Sequence, residues 1–162
     1  MILYIVFLIT LAVYAYRQAW RDYLRISLGQ PIDHGARLKE RLWFAGVRWL
    51  ICASLGVFVF NVYWLDALLW IPAGWATWTA MFRLSLNKMR GLHWNYISPS
   101  NVYDSVFLRI TWGKFPDRTE LVEAWHVYMC AKDSLRAGTL AYIFEALVFV
   151  AANVLMFFVP WK

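Results

Sequence analysis

The chain has 162 residues, 62% of them hydrophobic and 19% aromatic, with a mean hydropathy of +0.49 and a formal net charge of +6. An ordinary soluble domain is about 45–50% apolar, so this composition argues against one, and two cysteines are too few for a disulfide scaffold. The positive charge clusters beside long apolar stretches, which fits attraction to anionic lipid headgroups and not nucleic-acid binding.

The first apolar stretch, residues 1–16 (MILYIVFLITLAVYAY), has no charged side chain. It has no basic segment before it and no small-x-small cleavage site after it, so it reads as a retained first helix and not a removed signal peptide. A spanning helix needs about 20 apolar residues, so a span over about 1–17 relies on Arg17 snorkelling or on local thinning of the bilayer. The helix is expected to continue through RQAWRDYLRISL until Gly29-Gln30-Pro31 stops it. A new helix restarts at DHGARLKERLWF, with Asp33 as N-cap.

The second stretch runs from about residue 43 to 84, interrupted only by Arg48, Asp66 and Arg83. It holds two spans back to back, about 43–63 and 65–84, with a turn near NVYWLD (61–66). Small residues Ser54 and Gly56, then Ala73, Thr77 and Ala80, offer close helix contacts.

A polar connector follows, RGLHWNYISPSNVYDSVF (90–107). Ser98 and Pro99 suit the N-cap and first turn of a helix. Val102, Tyr103, Val106, Phe107 and Ile110 then share one face, with Asn101 and Asp104 opposite. This predicts a short amphipathic helix lying on the membrane, with Trp94 and Tyr96 as interface anchors. Asp117 and Glu120 open a second amphipathic helix, whose apolar face holds Leu121, Trp125, Tyr128, Ala131 and Leu135. The last span covers about 138–161 and carries a single charge, Glu145.

These elements define one all-α membrane domain. It has four transmembrane helices, two cytoplasmic amphipathic helices, and cytoplasmic segments at about 18–42 and 85–137. Arg17, Arg21, Arg25, Arg37, Lys39, Arg41 and Arg48 fall in or beside the first segment. Arg83, Lys88, Arg90, Arg109, Lys114, Arg118, Lys132 and Arg136 fall in or beside the second. Of the 16 basic residues only Lys162 lies on the other side. The positive-inside rule therefore makes the basic face cytoplasmic and puts both termini outside. Trp20, Trp43, Trp49, Trp64 and Trp161 fall near span ends, as an interfacial belt requires.

Few residues could carry chemistry. A carboxylate inside a span costs several kcal/mol unless it is paired. Glu145 and Arg48 enter their spans from the same face to a similar depth, so they are the expected buried ion pair. Asn153, further along the last span, is expected to bond a neighbouring helix. Glu123, His126, Cys130 and Asp133 share one face of the second cytoplasmic helix, and Glu-x-x-His is half of a di-metal carboxylate signature. They form a candidate transition-metal site, weighed against the simpler reading of a solvated helix face. His34 and His93 could add ligands; His93 otherwise packs at the interface. Cys52, in a span, and Cys130, in a cytoplasmic segment, cannot meet and are expected as free thiols. Nucleophile elbow, P-loop and dinucleotide fingerprints are missing from the sequence.

The connector resembles a pattern in small uncharacterised multipass membrane proteins of bacteriophage and prophage genomes. In those, Arg-Gly-x-x-Trp-x-Tyr after a span precedes a Ser/Thr-containing turn and an Asp-bearing helix. The matching residues here are Arg90, Gly91, Trp94, Tyr96, Ser98 and Asp104. The resemblance implies a phage-encoded membrane protein and assigns no residue a role. The leading expectation is a membrane-resident structural or accessory protein without cofactor. It would contact the lipid bilayer and either a membrane-protein partner or a second copy of itself. The alternatives are a metal-dependent membrane enzyme using Glu123 and His126, and a small channel or holin-like pore lined by Glu145 and Asn153.

Overall fold

The structure is a computed structural model that describes residues 2–30, 34–62, 64–97, 102–112 and 132–158. Five helices form in these residues: α1 (Ile2–Ser27), α2 (His34–Phe60), α3 (Trp64–Met89), α4 (Val102–Trp112) and α5 (Lys132–Phe158). Three of them contain stretches long and apolar enough to cross a membrane, Ile2–Ser27, Leu38–Phe60 and Leu135–Phe158. α3 has 26 residues, as many as α1, but Asp66, Pro72 and its Trp and Thr residues dilute its apolar character. The second cytoplasmic helix expected from Asp117 lies outside the described residues, as do the cap positions Asp33 and Ser98.

The helix ends are set by local chemistry. At the end of α1, Gly29 takes φ +66°. Its N–H donates to the Ile26 carbonyl at 3.1 Å, and the Gln30 N–H donates to the Arg25 carbonyl at 2.9 Å. At the end of α3, Gly91 repeats the arrangement at φ +67°, with Gly91 N–H on Lys88 and Leu92 N–H on Asn87. Both are Schellman caps, which need a left-handed residue at the glycine. Asn61 ends α2 with φ 51° and lets the Val62 N–H reach the Gly56 carbonyl at 2.9 Å.

α3 is the hub of the bundle and packs against α1, α2 and α5. Phe7 stacks on Trp70 and Leu11 lies against Gly74 one turn on, so α1 and α3 run in the same direction. Trp49 of α2 donates its indole N–H to the Ala67 carbonyl at 2.6 Å, and Arg41 lies over Trp78, so α2 runs the opposite way. Met156 joins the Phe7, Leu11 and Trp70 cluster while Glu145 meets Arg83, so α5 is also antiparallel to α3. The start of α1 and the end of α5 therefore lie at one end of the bundle. Arg21, Arg25, Arg41, Lys88, Arg90 and Arg136 lie at the other.

The distribution of polarity is inverted relative to a water-soluble bundle. Phe58, Phe157, Leu147 and Ile9 are 83, 81, 62 and 57% exposed, whereas Gln18, Asp22, Arg83, Asn87 and Glu145 are buried. An outer surface of this kind suits hydrocarbon as solvent, with polar groups turned inside. Together with the three long apolar helices, it makes the chain an integral multipass membrane protein.

Small residues let α3 approach its neighbours. Ala73 and Ala76 are buried, and a methyl placed on Gly74 would come within 2.7 Å of Leu11 and 2.8 Å of Phe7. Close backbone approach of this type is how helices associate in lipid, where burying apolar surface gives no advantage.

Candidate functional site

The polar centre of the bundle is built around Arg83, six residues before the end of α3. Its guanidinium donates to both oxygens of Glu145, at 3.1 and 2.9 Å, and to Oδ1 of Asp104 at 3.2 Å. All three side chains are buried, Glu145 to 2% exposure. The Tyr142 ring lies under the guanidinium at 4.9 Å. The convergence follows from helix directions. Side chains lean toward the N-terminus of their own helix, so Arg83 on α3 and Glu145 on the antiparallel α5 lean toward each other. The fork of the guanidinium then matches a carboxylate through two parallel hydrogen bonds.

The expected partner of Glu145 was Arg48, and the structure corrects this to Arg83. Arg48 sits on α2, which packs against α1 and α3, and its guanidinium lies 3.2 Å from the centroid of the Phe44 ring on its own helix. Position along the bundle and adjacency both select Arg83: Trp49 meets Ala67, which places Arg48 well away from the level of Arg83, and α3 packs directly against α5. Asn153 accepts the Tyr4 hydroxyl at 3.1 Å, so it bonds a neighbouring helix as expected.

A second layer fixes the segment after α3. The Asn87 amide donates to the carbonyls of Trp94 and Tyr96 at 3.0 and 2.7 Å. The Asn95 amide donates to the Leu135 carbonyl and the Thr139 hydroxyl, both at 2.9 Å. His93 Nδ1 pairs with the Asn95 side-chain oxygen, and the Tyr142 hydroxyl donates to the Trp94 carbonyl at 3.1 Å. Gly138 completes the fit, since a methyl there would collide with the Asn95 carbonyl. Residues 92–97 are thus stapled between α3 and α5 at the basic end.

This placement separates the two expected interface anchors. Trp94 is 49% exposed and packs against Tyr142, so it remains at the surface. Tyr96 is 3% exposed and belongs to an interior cluster with Ile97, Phe107, Leu108, Ala137 and Ala141. The physical reason is the turn, in which the Tyr96 N–H bonds the His93 carbonyl and sends consecutive aromatics to opposite sides. The expected face of α4 is corrected as well: Asp104 and Phe107 point inward while Val106 and Ile110 are exposed.

A third cluster joins α1, α2 and α3. Arg41 donates to the side-chain oxygen Oε1 of Gln18 at 2.9 Å while its guanidinium lies over Trp78 and Phe82. Gln18 in turn donates to the Tyr14 hydroxyl at 2.8 Å, and Tyr14 stacks on Phe44. Arg21 and Glu40 form a half-exposed pair at 2.7 Å, a kind of contact worth roughly 0–1 kcal/mol.

Glu123, His126 and Cys130 lie outside the described residues, and so does the side chain of Asp133 and that of His34. Among the described residues no three His, Cys, Asp or Glu side chains group as a metal site. Cys52 is a free thiol. Chemically, Arg83 is a donor that keeps its proton, and ionised carboxylates only accept, so the Arg83 cluster holds helices together by charge. No protein family, curated protein or solved structure matches the chain.

Proposed function

We propose that this chain is a four-span protein of the cell membrane that serves as a structural accessory protein. Its spans are α1, α2, α3 and α5, both termini lie outside, and it docks a partner on its basic, aromatic cytoplasmic end. The partner is another membrane protein or a second copy of the chain. The observation that carries the reading is that Arg83 closes on Glu145 through two hydrogen bonds and on Asp104 through a third. Such a cluster ties α3, α4 and α5 into one rigid unit. Rigidity at the basic end holds Trp94 in a fixed, half-exposed position.

α3 is the fourth span in this reading because the charged residues within its span, about 65–84, turn inward. Asp66 and Arg83 are buried, whereas Leu68, Ile71, Trp75 and Leu84 face outward. A helix enclosed by three others tolerates polar residues that a lipid-exposed span does not. The gathering of basic residues at one end supports the cytoplasmic assignment through the positive-inside rule. The likeness of residues 90–107 to phage membrane proteins supports a phage-encoded chain acting at a host membrane.

The test is site-specific photo-crosslinking in membranes of the native source. A crosslinker at Trp94 forms a discrete protein adduct, and one at Phe58, exposed at the opposite end, forms lipid adducts alone. Lipid adducts at both positions would remove the interaction role. Ion flux through the purified protein in liposomes, abolished by Glu145→Gln, would replace it with transport.

A further inference from the structure

α4 has its polarity the wrong way round for a helix resting at a water surface. Asp104, Phe107 and Leu108 are 5, 8 and 2% exposed, while Val106 and Ile110 are 46 and 65% exposed. The carboxylate faces protein and the branched aliphatic side chains face out.

Its depth can be read from its partner. Asp104 and Glu145 bind the same Arg83 nitrogen, at 3.2 and 2.9 Å. Glu145 lies seven residues into the span that begins at about residue 138, and seven residues of helix rise about 10 Å. Half of the hydrocarbon core is about 15 Å thick, so Asp104 sits within the leaflet at the basic end, short of the membrane middle. Leu108 shares a buried cluster with Ala137 and Ala141, both nearer the basic end than Glu145. α4 therefore stays between the level of Glu145 and the basic end. Its outer side is continuous with that of α5: Phe107 meets Phe144 at 5.9 Å, and Phe144 and Leu147 are 45 and 62% exposed.

We infer that α4 is a short helix embedded in the cytoplasmic leaflet, with Val106 and Ile110 in contact with lipid acyl chains. The inference rests on the membrane-spanning reading of α5. A carboxylate is tolerated at membrane depth where it is paired, and the Arg83 cluster provides the charge partner that lets Asp104 enter. The segment that looks most like a polar connector is then part of the membrane domain. Its occupant is acyl chain because the outward face continues a span surface at a depth where lipid is the solvent.

The experiment is nitroxide accessibility in phosphatidylcholine–phosphatidylglycerol vesicles. Single cysteines replace Val106, Ile110, Leu147 and Leu28 in a chain carrying Cys52→Ala and Cys130→Ala. All four labelled positions are exposed, so labelling does not challenge folding. Collision with oxygen, which concentrates in lipid, is compared with collision with a water-soluble nickel chelate. The expected result is an oxygen-to-nickel ratio at 106 and 110 that is lipid-like, as at 147, and reversed from that at 28. Ratios at 106 and 110 matching 28, with 147 still lipid-like, overturn the inference and leave the spans standing. Shielding from both reagents at 106 and 110 places protein there and also overturns it. A water-like ratio at 147 overturns the membrane reading itself.

Discussion

Replacing Arg83 with methionine removes the cation from between two buried carboxylates. Glu145 and Asp104 are 2 and 5% exposed, so water does not take its place. At charge-centre separations of about 4 Å and an effective dielectric near 20, each pair contributes ~4 kcal/mol of Coulomb attraction. Desolvation of the three groups offsets most of this in the intact protein. Breaking the cluster from one side exposes the asymmetry, because desolvated carboxylates remain without their counter-charge, and such deletions cost about 3–5 kcal/mol. The measurement is unfolding by sodium dodecyl sulfate titration in mixed micelles. Arg83→Met is expected to lose about 3–5 kcal/mol, whereas Arg83→Met combined with Glu145→Leu and Asp104→Leu recovers most of it. Arg48→Met, which leaves the cluster intact, is expected to lose about 1 kcal/mol or less. An Arg83→Met protein as stable as the parent, or a triple variant no better than the single one, would show that the charges do not depend on one another and refute the reasoning.

The remaining expectations use the same assay or a labelling readout. Gly138→Ala drives a methyl into the Asn95 carbonyl and is expected to cost about 1–3 kcal/mol through overpacking. Gly46→Ala has open space and leaves stability unchanged or raises it by up to about 1 kcal/mol; equal effects at the two sites would refute the close approach. Asn87→Ala frees the carbonyls of Trp94 and Tyr96 at a cost of about 1–3 kcal/mol. Amide exchange at residues 92–97 should rise while α1 stays protected, and uniform change across the chain would contradict a local staple. Cysteine at Leu28 reacts with an impermeant maleimide only after cells are opened, and cysteine at Trp64 reacts in intact cells. The reverse pattern would invert the orientation.

Much of the fold is legible in the sequence. Apolar stretches with at most an isolated charge can satisfy their backbone in lipid only as helices, so composition fixes the class and places α1, α2 and α5. Gly29 stops α1 because its left-handed φ is cheap for glycine alone. Glu145 is recognisable as paired, since a lone carboxylate in a span is too costly to keep.

What only the tertiary structure decided is who meets whom. Sequence cannot say which helix lies beside α5, or that Arg48, next to Trp49 and so near Ala67, stands well away from the level of Arg83. Helical periodicity gave α4 an apolar face and a polar face but not which one points inward. A charged arginine on α3 draws Asp104 in and leaves Val106 and Ile110 outside. Tyr96 is buried and Trp94 is not, for a similar reason: a turn held by Asn87 and Asn95 fixes directions that composition leaves free. One-dimensional hydropathy measures the cost of putting each residue in lipid, whereas pairing depends on distances between helices that are remote along the chain.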